Sequence, residues 1–390
     1  MTSRNKLINV ALFLFSCLEL FPAIISGQSG RAPLQPTPLS LPLTQPKPPA
    51  ESRLVIHRDA PKYKLVFGLG DFSDFVAQLN QHGERGYKLK SITFGWQESD
   101  RKNYFRRTVA ILQLDEIKYE YSWFETRSYW FWGIGEFEPK YAEVARQGFR
   151  LVDHFYSGGF CEAGDCELRE IFVLERAKGV VAPREFRVAG IAPQRRMKID
   201  PSAELSEGAE AGFYPTSLIS KFQVLLEVVA EEDRPAEKPD VQWTNLESRM
   251  KKLALEGYRL AVIYNEGIVI YRYPGANEPV RYVFLRTKPG KLEKALTALE
   301  QSGATYRTAD RDPGGDRLIF EQPISNSGPR SFRVLRFKFQ IAEDSSGKQA
   351  RINLTADDEA VLKTMNDLVE QGYVVRAVFG HDHVGVLLER

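Results

Sequence analysis

Three cysteines, five histidines and four methionines are the whole stock of soft metal ligands in 390 residues. That scarcity is poor for a zinc site, which needs three or four convergent ligands. Charge of one sign is lacking too. Fifty-three Lys and Arg face 51 Asp and Glu, a formal +2, so no global field recruits nucleic acid or anionic lipid. The chain contains no HExxH, no phosphate-cradling glycine loop and no nucleophile elbow; Gly68-Leu69-Gly70 lacks a third glycine at the needed spacing. Neither a cofactor nor a nucleic-acid partner is expected. The most apolar run, Leu7 to Leu18, is broken by Asn9, Ser16 and Cys17 and is too short for a stable membrane span.

That run instead reads as the core of an export signal over residues 1–27. Arg4 and Lys6 precede it, Glu19 and Pro22 end it, and Ile25-Ser26-Gly27 offers a cleavage site. The mature chain is expected to be periplasmic or extracellular and bacterial. Leu14-Phe15-Ser16-Cys17 loosely matches a lipoprotein box, and a lipid anchor at Cys17 is the alternative. Residues 28–60 form a Pro-rich linker: seven prolines between 31 and 50 favour an extended, semi-rigid spacer.

What the chain has in abundance is one recurring phrase, in which a short amphipathic helix ends in Gly plus an aromatic and a strand follows. The copies are Gly86-Tyr87, Gly148-Phe149, Gly212-Phe213, Gly257-Tyr258 and Gly372-Tyr373, with a degraded copy at Gly303-Ala304. Repetition at this spacing predicts an array of one supersecondary unit. The fold class read from it is α+β: tandem β-α-β-β repeats, each a small sheet containing an antiparallel hairpin with one helix, packed against its neighbours. The expected repeats span 61–115, 116–178, 183–230, 231–275, 279–323 and 330–390. A unit of about fifty residues cannot bury its own sheet well, so neighbours must cover it.

A helix commonly stops at a residue with left-handed backbone, which Gly adopts without steric cost. The aromatic then folds back onto the helix. The phrase therefore predicts a structural hinge, with no ligand required. It resembles a small family of bacterial domains of unknown function, single β-α-β-β units whose helix ends in Gly, an aromatic, any residue, then Leu or Val. The resemblance covers copies one, two, four and six and implies a fold only; Tyr214-Pro215 interrupts copy three and Ala304 replaces the aromatic of copy five.

Candidate functional residues are few. The block from Tyr119 to Phe137 holds the densest aromatics, and within it Tyr129, Trp130, Phe131 and Trp132 lie between strand and helix, where copies four and five have only short connectors. They are expected either to contact a protein or glycan partner or to plug the seam between units. Cys161 and Cys166 flank the turn of the second hairpin and, in an exported chain, are expected to form a disulfide. His381 and His383 are the weak metal candidates, alternating about Asp382 where the last hairpin should turn. Thr244 and Glu247 stand in capping-box register before the fourth helix, with Leu246, Met250 and Leu253 on one face. Thr355 is read as a helix cap. Arg106-Arg107 and Arg195 to Lys198 are read as solvated loops.

The function expected from these features is an exported, non-catalytic repeat protein that binds or scaffolds through sheet and aromatic loop surfaces. The alternatives are a secreted hydrolase with paired carboxylates in a cleft between repeats and a lipid-anchored structural subunit.

Overall fold

The computed structural model describes residues 60–98, 104–129, 136–162, 165–190, 201–220, 223–228, 240–244, 246–264, 267–272, 278–310, 316–324, 328–343, 350–380 and 384–390. Across them the same unit is built six times. Unit 1 comprises β1 (Tyr63–Leu69), α1 (Phe72–Gly83), β2 (Tyr87–Glu98) and β3 (Tyr104–Leu114). Unit 2 has β4 (Tyr119–Tyr129), α2 (Phe137–Arg146), β5 (Arg150–Glu162) and β6 (Asp165–Ala177). Unit 3 has β7 (Phe186–Gly190), α3 (Pro201–Glu210), β8 (Phe213–Ser220) and β9 (Gln223–Val228). Unit 4 has β10 (Asp240–Thr244), α4 (Glu247–Leu255), β11 (Arg259–Tyr264) and β12 (Gly267–Arg272). Unit 5 has β13 (Val280–Arg286), α5 (Lys291–Glu300), β14 (Thr305–Asp310) and β15 (Arg317–Pro323). Unit 6 starts with β16 (Phe332–Phe337), inserts the hairpin β17 (Gln340–Glu343) and β18 (Ala350–Asn353), and continues with α6 (Ala356–Glu370), β19 (Val374–Phe379) and β20 (Val384–Glu389). In every unit the three strands are antiparallel and the last one is central, as in the order β1-β3-β2.

The central strands explain how such small sheets are stable. Val109, Ala110, Ile111 and Leu112 are all fully buried, an unbroken apolar run rather than an alternation. Such a run requires cover on both faces. Ala110 and Leu112 pack with α1 and with Tyr119 and Tyr121 of unit 2, whereas Val109 and Ile111 pack with Met365 of α6. The pattern recurs: Phe172 and Leu174 face one core while Ile171 and Val173 face the previous one. Each helix thus lies between its own sheet and the next. Because α6 covers the sheet of unit 1, the series closes into a ring. The inserted hairpin reinforces that last junction, with Phe339 of unit 6 meeting the ring of Phe67 at 5.4 Å.

All six signature glycines have positive φ, from 66° at Gly303 to 92° at Gly257. The helix stop is complete in three units. The amides of Phe149, Tyr258 and Tyr373 reach back to Val144, Leu253 and Leu368 carbonyls at 3.2, 3.1 and 3.0 Å, beyond the bond made by the glycine amide. The aromatic that follows is buried in each copy, and so is Ala304 in the fifth. A basic side chain lies over it: Lys64 over Tyr87, Arg176 over Phe149 and Arg187 over Phe213, at 4.5, 4.4 and 4.2 Å from the ring centre.

Two capping expectations part ways. Thr355 caps α6, its hydroxyl accepting the Asp358 amide while the Asp358 carboxylate accepts the Thr355 amide. Thr244 does not cap α4. It ends β10, its hydroxyl accepts the Leu246 amide at 3.0 Å, and the helix starts at Glu247 with no side-chain cap. Leu246 is consequently exposed, whereas Met250 is buried.

Candidate functional site

The edge strand after each signature glycine is irregular at one fixed place. In β2, β5, β8, β11, β14 and β19 the register with the central strand slips, and the extra residue stands four positions after the glycine: Lys90, Val152, Thr216, Ala261, Arg307 and Arg376. A bulge of this kind bends the strand and re-aims the side chain it leaves unpaired.

The residue just before the bulge carries the amide that ties one unit to the next. Leu89 donates to the Tyr121 hydroxyl at 2.7 Å, and Leu260 donates to the Tyr282 hydroxyl at 2.7 Å. The Tyr282 phenol passes a hydrogen bond on to Glu321 of its own central strand at 2.8 Å, while the Tyr121 hydroxyl hydrogen is shared between Glu175 of its central strand at 3.2 Å and the Tyr87 carbonyl at 3.1 Å. Burial first, then that carboxylate, pushes both phenols well above their ordinary pKa. Between units 2 and 3 the phenol comes from α2: Tyr141 accepts the Leu151 amide at 3.3 Å and donates to Glu227 at 2.5 Å. Between units 5 and 6, Glu389 itself takes the Tyr306 amide at 3.3 Å. Between units 6 and 1, Tyr63 takes the Val375 amide. Between units 3 and 4 the residue is Pro215, which has no amide hydrogen. The partner positions there hold Val241 and Tyr271, paired in register as Tyr282 is with Glu321.

The bulged strands succeed one another round the axis, β2 against β5, β5 against β8, and so on to β19 against β2. Their bulges meet around a cavity of about 430 Å³. Each unit contributes: Lys90 and Ser91 from unit 1, Val152, Asp153 and His154 from unit 2, Thr216 and Ser217 from unit 3, Ala261 from unit 4, Arg307 and Thr308 from unit 5, Arg376 from unit 6. Three cations come from the consecutive units 5, 6 and 1. Arg376 is held by Glu389 at 2.9 Å, and Arg307 donates to the Leu260 carbonyl at 3.1 Å. Lys90 makes no hydrogen bond or ion pair among the described residues, and burial together with the charges of Arg376 and Lys88 lowers its pKa.

Beside the cavity a buried polar clasp joins the same three units. The Gly380 amide donates to Asp316 at 2.6 Å, the Thr93 hydroxyl donates to the same carboxylate oxygen at 3.3 Å, and Arg107 donates to the Gly380 carbonyl at 2.9 Å. Arg107, expected in a solvated loop, is fully buried, with its guanidinium 5.5 Å from the Phe339 ring centre. The reading failed because Arg107 lies on β3, whose neighbours on both faces are packed.

The sequence candidates are placed as follows. Tyr119 and Tyr121 are buried, and Trp123 packs against them in the junction between α1 and unit 2. Phe124 stacks on Phe172 and Phe137 on Tyr141 in the next core. Those aromatics plug seams. Tyr129 ends β4 opposite Glu167, while Trp130, Phe131 and Trp132 lie outside the described residues, as do His381 and His383 and the run Arg195 to Lys198. Cys161 and Cys166 are direct partners in the β5–β6 register. Nothing in the sequence reading singled out the bulge residues. Their signal is the constant offset from the glycine, visible only when the copies are aligned on it.

Buried carboxylates are numerous but engaged. Glu175 binds Arg150 at 2.9 Å, Asp310 pairs with Arg317, and Asp358 closes its capping box. Asp153 is the single carboxylate among the residues lining the cavity. Glu170 stands apart: buried on β6 opposite Thr126, its Oε2 has no partner, and burial pushes its pKa up to about 8.

The chain matches no family model, no curated protein and no solved structure in comparisons with known proteins. Among the described residues no helix is long and apolar enough to cross a membrane, and no three His, Cys, Asp or Glu side chains are grouped to hold a metal ion.

Proposed function

We propose that the chain is an exported, non-catalytic binding protein whose closed ring of six units presents a ligand cavity on its axis. One observation carries the reading. The hinge positions repeat almost unchanged, glycine six times and an aromatic five times, while the bulge positions facing the cavity read Lys, Val, Thr, Ala, Arg and Arg. A packing role alone would favour one residue type at all six places. Divergence at the lining beside a repeated hinge is what a shaped site on a symmetric scaffold requires. The lone lining carboxylate supports binding over acid–base hydrolysis, which needs a pair.

Export is supported by the register of Cys161 with Cys166. Directly opposed residues of an antiparallel pair have Cα atoms about 4.5–5.5 Å apart, within the span a disulfide bridges. The aromatic segment after Tyr129 leaves β4 at the same end of the sheet as that cysteine pair, and it is proposed as a contact patch for a protein or glycan.

The test is a thermal-shift screen of the secreted chain against a chemically mixed set of small molecules, repeated with Ala261→Trp to fill the cavity. A bound ligand at a hundredfold its Kd adds about 2.7 kcal/mol of stability, and Ala261→Trp removes that gain. A ligand whose stabilisation is indifferent to Ala261→Trp refutes the axial site.

A further inference from the structure

We propose that the axial cavity takes a small molecule bearing an oxyanion group, phosphate or carboxylate, seated between Lys90, Arg307 and Arg376. This rests on the axial cavity being the binding site.

Three of the six bulges carry cations, and these three are neighbours round the ring, in units 5, 6 and 1. Lys90 and Arg307 are exposed to solvent and Arg376 is half-buried, so their mutual repulsion is screened but not removed; partial desolvation first, then Arg376 and Lys88, disfavours the ammonium of Lys90. Several basic side chains elsewhere are spent on a carboxylate: Arg150 on Glu175, Arg176 on Glu120, Arg336 on Glu293. In the cavity only Arg376 has a carboxylate, Glu389. Arg307 has a carbonyl alone and Lys90 has nothing among the described residues. An anion bound here gains three charge-assisted contacts and removes the repulsion at once.

The opposite side of the cavity sets the rest of the ligand. Thr216 and Ser217 of unit 3 offer hydroxyls, Val152 and Ala261 offer small apolar surface, and Asp153 and His154 of unit 2 complete the lining. At about 430 Å³ the space exceeds a bare phosphate, so the oxyanion is one end of a larger, hydroxyl-compatible body, and the Asp153 carboxylate in the same lining disfavours a second anionic group on it. The ring is the reason such a site can exist. Arg307 and Arg376 come from neighbouring units, and Lys90, more than two hundred residues away in sequence, joins them only because unit 6 closes on unit 1.

The test titrates the full mature chain with pyrophosphate and with citrate, using glucose and spermidine as uncharged and cationic controls, followed by calorimetry. The variants are Lys90→Gln and Arg307→Gln, singly and together. Arg376 is left alone because its removal would strand the buried Glu389. One-to-one binding of at least one anion is expected, weakening as salt rises, about tenfold weaker in each single variant. Without ligand Lys90→Gln melts at or above the wild-type temperature, since it relieves repulsion and breaks no bond, whereas Arg307→Gln also gives up its hydrogen bond to the Leu260 carbonyl and melts slightly lower. Pyrophosphate and citrate separate the phosphate arm from the carboxylate arm. Anion binding that survives the double variant overturns the proposal, as does a chain that binds neither anion. If a neutral ligand binds and is blocked by Ala261→Trp while the anions do nothing, the axial site stands and its anionic ligand class falls.

Discussion

The phenol of Tyr282 accepts the amide hydrogen of Leu260, at 2.7 Å, from one unit and hands its own hydrogen, at 2.8 Å, to Glu321 of the next. Tyr121 accepts from Leu89 in the same way and divides its own hydrogen between Glu175 and the Tyr87 carbonyl. Replacing Tyr282 with Phe keeps the ring and strands the Leu260 amide in a buried seam. The expected loss is about 1–3 kcal/mol in urea unfolding, the penalty of an orphaned buried donor. A change under about half that would mean water reaches the amide and the relay is ornamental.

Pro215 gives the reciprocal test. The seam between units 3 and 4 lacks the phenol–carboxylate pair, and the proline there leaves no donor to satisfy. Pro215→Ala restores the amide opposite Val241, so destabilisation is expected, on the order of 1 kcal/mol for a half-buried position. Adding Val241→Tyr and Tyr271→Glu should rebuild the relay and recover the loss. Non-additivity in that cycle is the measurement, and strict additivity would show that the seam does not read its partner.

Gly148 and Gly372 have nearly the same backbone, φ of 86° and 91°, in different surroundings. A Cβ at Gly148 would lie 3.0 Å from the Val180 carbonyl oxygen, whereas at Gly372 its nearest neighbour is 3.9 Å away on the Arg390 side chain. Gly372→Ala should cost about 1–2 kcal/mol, the left-handed strain alone. Gly148→Ala should cost clearly more. Equal losses in parallel denaturation curves would show that the connector after β6, which holds Val180 and Ala182, gives way to admit the methyl.

Glu170 makes stability depend on pH. Burial raises its carboxyl from 4.5 to about 8, so the folded chain holds a proton that the unfolded chain has released. Below pH 4.5 both states are protonated and nothing is lost. Between pH 4.5 and 8 stability falls as pH rises, by about 1.4 kcal/mol per pH unit at most for this group, and it levels off above pH 8. Glu170→Gln should flatten that part of the profile, seen by comparing midpoints of wild type and variant at pH 5, 7 and 9. Parallel profiles would mean that Glu170 finds a counter-charge.

Cys161 and Cys166 should be joined in protein secreted through an oxidising compartment. Non-reducing peptide mapping reads this directly, and free thiols at both positions would remove a support for export. Stabilisation from so short a loop is modest.

The sequence carried the repeating unit plainly because its punctuation is local. A glycine that must adopt positive φ and an aromatic that must fold under it are recognisable within a few residues, and each copy announces itself. The ring was not legible. Closure depends on α6 meeting β1 and β3, a pairing of residues some 250–300 apart, and no local pattern encodes which copy comes last to the first. The site was invisible for the same reason. Lys90, Arg307 and Arg376 read singly as ordinary surface cations, and only the bulge register and ring closure together place them in one cavity. Arg107 misled because charge is a good guide to solvent only where a strand has a free face.

Closure also fixes how such an architecture can change. An open stack of modules lengthens or shortens at its tips, where terminal members tolerate replacement. Here the final helix occupies the berth that a cap would fill, so there is no tip. Losing one module would leave two apolar walls facing water, and adding a seventh would force all the junctions to re-angle and spread the central opening. Variation is therefore confined to what side chains do at the hub and to what the outer loops carry.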